Sequence, residues 1–82
     1  MSEEIPSQRE LRAATAELFD DLRRYTMPFG RYKGLKIHHL PHPYLIWFQQ
    51  EGFPDGRLGE LMEQVCTIKS EGAEFLFKHL DS

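Results

Sequence analysis

Eighty-two residues of 9.7 kDa, 40% hydrophobic and 12% aromatic against 28% charged, provide material for one packed core and exclude both a multidomain chain and an intrinsically disordered one. The single cysteine, Cys66, excludes the internal disulfides on which small secreted domains depend, and a formal net charge of −3 argues on average against a polynucleotide ligand. No apolar run approaches the ~18 residues of a membrane span, and Met1-Ser2-Glu3-Glu4 is acidic where an export signal is basic and then apolar, so a cytoplasmic protein with no membrane partner is expected.

Residues 1–6 read as a flexible tail and 7–82 as one domain. Ser7 followed by Glu10 forms a capping box ahead of Leu11, Ala14, Leu18, Leu22 and Tyr25, whose three- and four-residue spacing predicts a first helix ending near Tyr25. Arg23 and Arg24 suit the negative end of that helix. Thr26 to Phe29 and Leu35 to His38 both alternate, and Gly30-Arg31-Tyr32-Lys33-Gly34 between them is rich in turn residues, which predicts a short β-hairpin. Met27, Phe29, Leu35 and Ile37 would face inward. Pro28, which cannot donate to a ladder, would confine its strand to an edge.

Pro43 at a first helical position predicts a second helix from Tyr44 to about Glu51, with Gly52 in a left-handed cap and Phe53 folded back on Phe48. Asp55 is the expected cap of a third helix carrying Leu58, Leu61, Met62, Val65 and Ile68, ended near Gly72. A last short helix would carry Ala73, Leu76, Phe77 and Leu80 on one face and Phe75 on the other. The expected fold class is therefore α+β: an N-terminal helix, a short hairpin and three C-terminal helices. Trp47, Phe48, Phe53 and Phe77 read as core, while the outer face of the second helix, at Trp47, and Phe75 are the interface candidates.

The net charge conceals a segregation. All thirteen carboxylates lie at or before Asp21 or at or after Glu51, and the intervening stretch carries Arg23, Arg24, Arg31, Lys33 and Lys36. Seven of the ten aromatic side chains lie in or beside that stretch, and cations interleaved with aromatics are what a surface contacting phosphates and stacking bases requires. Arg24, Arg31, Tyr32, Lys33 and Lys36 are accordingly the candidate nucleic-acid contacts. A solvated hairpin with Tyr32 packed on the helices is the plainer alternative.

His38, His39 and His42 are of a type that binds zinc, but Cys66 and His79 are remote in sequence and two prolines stiffen the segment, so a solvated or core-lining role is expected. Cys66, on the flank of the third-helix stripe, reads as a buried thiol. Glu60 and Glu63 read as a solvated helix face, and neither a Walker-type loop nor a nucleophile elbow is present. No catalytic, cofactor or metal constellation emerges, and the protein is not expected to be an enzyme.

The string Met27-Pro28-Phe29-Gly30-Arg31-Tyr32-Lys33-Gly34, followed by Leu40-Pro41, Tyr44-Leu45, Trp47-Phe48, Gly52-Phe53-Pro54, Gly56, Leu58-Gly59, Leu61-Met62 and Ile68-Lys69, resembles the small bacterial family labelled "putative quorum-sensing-regulated virulence factor" over residues 26–80. A similar Pro-Phe-Gly signature occurs in modules appended to exonucleases resembling exodeoxyribonuclease X. That resemblance implies a nucleic-acid context but lends no catalytic residue. The sequence departs from the family pattern at Arg31 for lysine, at His39 and His42 for acidic residues, and at Glu71 for asparagine. The expectation is a weak binder of DNA, with RNA a second possible ligand. The competing expectation is an adaptor or homodimer that would direct the same cations at an acidic protein partner.

Overall fold

The computed structural model describes residues 8–80, with side chains from residue 16 onward except that of His79. The expected tail and the Ser7–Glu10 capping box lie outside those described positions. Three α-helices, α1 (Gln8–Arg24), α2 (His42–Glu51) and α3 (Arg57–Ser70), are joined by a one-turn 3-10 helix, Ile37–His39, and followed by a longer one, Glu74–Leu80. Among the described residues there is no sheet, and the fold is all-helical rather than α+β.

The expected hairpin is a loop. Its only ladder element is one antiparallel bridge, Thr26 to Lys36, reinforced where Met27 N donates to the Leu35 carbonyl at 2.7 Å and Gly34 N to the Met27 carbonyl at 2.8 Å. Inside this neck the bonds are of turn type, from Lys33 N to Gly30 O and from Leu35 N to Tyr32 O. Pro28 withholds a donor on one side, and on the other the chain enters the Ile37–His39 turn directly after Lys36, so no residues remain to extend a strand. Without a pleat, side chains no longer alternate: Met27 and Ile37 are buried, whereas Phe29 and Leu35, also expected inside, are exposed.

Leu40 is extended because Pro41 follows it, and α2 opens at His42 with Pro43 one position later, where a missing N–H leaves no helical bond unmade. His42 Nε2 and Ser70 Oγ share a 3.0 Å hydrogen bond that ties the start of α2 to the end of α3. Gly52 closes α2 with φ 109° and ψ 130°, outside the left-handed helical well, so the Schellman arrangement expected there is absent. It occurs instead after α3: Gly72, at φ 72°, donates to Lys69 O and Ala73 donates to Ile68 O. Gly56, not Asp55, occupies the N-cap of α3. The last segment winds as a 3-10 helix rather than an α-helix.

α3 is the central element. Its Leu61, Met62, Val65 and Cys66 are buried against Leu22 of α1, Met27 of the loop, Ile37 and Leu40, Leu45 of α2, and Phe77. Each such side chain contributes about 1.5–3 kcal/mol relative to its exposed state. Of the four aromatics expected in the core, Phe77 is buried, Phe48 and Phe53 are half-buried, and Trp47 projects into solvent. No helix among the described residues is long and apolar enough to cross a membrane.

Candidate nucleic-acid interface

The loop from Thr26 to Lys36 holds most of the predicted contact residues, and its anchoring determines what each can do. Tyr32 turns inward to Tyr44 of α2, ring centroids 4.7 Å apart and nearly perpendicular, and the Arg31 guanidinium lies 5.6 Å over the Tyr32 ring. Gly30, at φ 78°, carries the loop backbone past the Tyr44 hydroxyl, which a β-carbon there would approach to 3.3 Å. Tyr32 is thus half-buried, and it holds the loop against α2.

Arg31 and Lys33 are exposed at the loop tip, and Arg24 is exposed at the end of α1, two residues before the neck. Lys36 is employed differently: its ammonium donates to the Arg23 carbonyl, placing a cation on the carbonyl end of α1 where the helix dipole is negative. Four of the five predicted side chains therefore lie in one loop and its neck. Of the four cations, Arg24, Arg31 and Lys33 are exposed with no side-chain hydrogen bond or ion pair among the described residues to hold them, whereas Lys36 is half-buried and tied to the end of α1.

Asp20 and Asp21, the last carboxylates before the loop in the chain, are already engaged. Asp20 pairs with Arg23 at 3.4 Å, and Asp21 receives Nε and Nη2 of Arg57, each at 2.7 Å. Arg57 also reaches Glu60 at 3.0 Å. Hydrogen bonds to Glu60 and then to Asp21 raise the Arg57 guanidinium above its ordinary value. Among the described residues, no ion pair includes Arg24, Arg31 or Lys33. At its N-terminal border the acid-free interval thus meets acids whose charge is locally compensated, whereas Glu51 at the other border is exposed.

Apolar side chains are exposed as well. Tyr25, Phe29 and Leu35 lie at the neck and in the loop, and Trp47 (55% exposed) and Phe75 (62%), on other elements, are the two most exposed large apolar residues among those described. The sequence reading missed Phe29 and Leu35 as surface residues; the signal was Pro28 and Gly30 flanking Phe29, which interrupts any alternation. The histidines divide: His38 is buried with its ring 5.6 Å from Phe77 and 4.4 Å from His39, whose side chain is exposed. Among the described residues, no three His, Cys, Asp or Glu side chains are grouped to hold a metal ion.

Residues 15–80 match the family model described as "Putative quorum-sensing-regulated virulence factor". The chain is also 49% identical over 55 residues, 66% of its length and 76% of the relative's, to the "Uncharacterized protein YpeB" of Escherichia coli strain K12, and equally to that of E. coli O157:H7. No solved structure matches the chain at comparable significance.

Proposed function

Because the chain belongs to the putative quorum-sensing-regulated virulence factor family, whose label names a phenotype and no reaction, we propose from its surface that it is a small accessory protein that contacts DNA through Arg24, Arg31 and Lys33. The observation that carries this reading is the pairing of Asp20 and Asp21 with Arg23 and Arg57, which leaves the loop cations facing solvent with no described carboxylate engaging them. Exposed Tyr25, Phe29 and Leu35 beside them add apolar area that a purely solvated loop would not present. Three cations neutralising about three phosphates give weak, strongly salt-dependent binding.

Fluorescence anisotropy with labelled single- and double-stranded oligonucleotides at low salt tests this. Binding that Arg31→Glu with Lys33→Glu abolishes is the expected result; absence of binding, or binding indifferent to both substitutions, overturns it. The adaptor reading draws on the exposure of Phe75, far from the loop in sequence, and predicts a Phe75-dependent protein complex instead.

A further inference from the structure

Resting on that reading, we propose that the ligand is single-stranded DNA and that one of its unpaired bases stacks on the indole of Trp47. The first argument is continuity. Tyr32 of the basic loop meets Tyr44 at 4.7 Å, Tyr44 meets Phe48 at 5.1 Å, and Phe48 meets Trp47 at 5.0 Å, so an unbroken row of rings leads from the loop along α2 to an exposed end. A strand held by Arg31 and Lys33 finds the indole on the same helix that seats the loop.

The second argument is the surface around the indole. Trp47 stands perpendicular to Phe48, interplanar angle 86°, and remains 55% exposed, so it is braced while much of the ring stays open. On the solvent side of α2 its helical neighbours at four-residue and three-residue spacing are Pro43 and Gln50, both exposed and uncharged; Glu51 closes the strip at the end of the helix. An exposed ring flanked by uncharged Pro43 and Gln50 offers a base a face to stack on, and the phosphates beside that base would be held by the loop cations, since α2 itself supplies none.

The third argument is exclusion. Duplex DNA hides its base faces and exposes only base edges, which are read by a helix or a two-stranded ribbon entering the major groove. The loop is not a ribbon, its one bridge being Thr26 to Lys36, so its cations cannot be carried into a groove as a two-stranded ribbon would carry them.

Trp47 is the only tryptophan, so its emission reports this ring alone. The full chain is titrated at low salt with an oligothymidylate of about ten nucleotides, within the span of small single-strand sites, and with a duplex of equal length, following anisotropy and tryptophan emission together. The expected result is emission quenching that saturates with the anisotropy for the single strand, no quenching by the duplex, and single-strand affinity lowered about 5-fold or more in Trp47→Ala but largely kept in Trp47→Phe. Single-strand binding with unchanged emission and an unimpaired Trp47→Ala variant overturns the stacking assignment while the DNA reading stands. Tighter binding of an oligouridylate overturns the choice of DNA over RNA. Binding of polyglutamate with no oligonucleotide bound overturns both this inference and the function on which it rests, in favour of an acidic protein partner.

Discussion

A β-carbon on Gly59 would lie 1.7 Å from the carbonyl oxygen of Pro54, so the first turn of α3 is packed directly on the backbone of the segment that links it to α2. The obstacle is main chain, which no rotamer change can move aside. Gly59→Ala gains up to about 1 kcal/mol of helix propensity, yet a clash with main chain belongs at the upper end of overpacking costs, about 3 kcal/mol, for a net loss of roughly 2 kcal/mol. Thermal unfolding should record a midpoint lowered by roughly 4–8 °C for each kcal/mol. A variant as stable as the parent would show that this contact is not enforced.

The lysines of the basic segment should separate by assay. Lys36→Met removes the cation from the carbonyl end of α1 and should cost up to about 1 kcal/mol of stability. Lys33→Gln and Arg31→Gln, both at the exposed tip, should stay within about 0.5 kcal/mol of the parent. Equal destabilisation by Lys33→Gln and Lys36→Met would contradict the division of labour between them.

Arg57 joins α1 to α3, and a double-mutant cycle with Asp21→Asn and Arg57→Met should return a coupling of about 0.5–1 kcal/mol. At about 1 M salt, where screening acts over ~3 Å, the coupling should shrink but not vanish, since the pair is only partly exposed. The guanidinium is raised by Glu60 first and Asp21 second. Its contribution is therefore complete at every pH below its unfolded value and is lost only as pH rises through the still higher folded one, in strong alkali.

Ionic strength offers a count of the phosphates engaged. With Arg24, Arg31 and Lys33 each neutralising one phosphate of a single strand, the logarithm of affinity should fall with the logarithm of salt at a slope of about −2. Each substitution to glutamine should reduce that slope by about 0.7. A slope near zero in the parent protein would mean that the cations are not the contact.

The sequence reading held best where periodicity is strong. The stripe of α3 from Leu58 to Ile68 is buried or half-buried as its spacing requires, and α1 and α2 end within a residue of Tyr25 and at Glu51. It failed at the hairpin because apolar alternation over four residues is satisfied by many backbones, and Thr26 to Lys36 leaves too few donors for a ladder once Pro28 is counted. The capping glycine was misplaced for a related reason: Gly52 and Gly72 carry the same local signal, and the conformation of each depends on where the following chain must go.

Composition and order along the chain sufficed for the apolar stripe of α3, an interval without carboxylates, and a family signature, because hydrophobic period and charge count are properties of the string itself; they did not suffice for the fold class, which is all-helical and not α+β. Which cations face solvent was decided by tertiary structure. Lys36 and Lys33 are equivalent on paper, and they differ because closure of the loop at Thr26 brings one ammonium to the Arg23 carbonyl, while docking of Tyr32 on Tyr44 leaves the other at the tip. Trp47 was likewise placed outside because Leu45 already fills the core side of α2, and one helix cannot bury all its faces against a single neighbour.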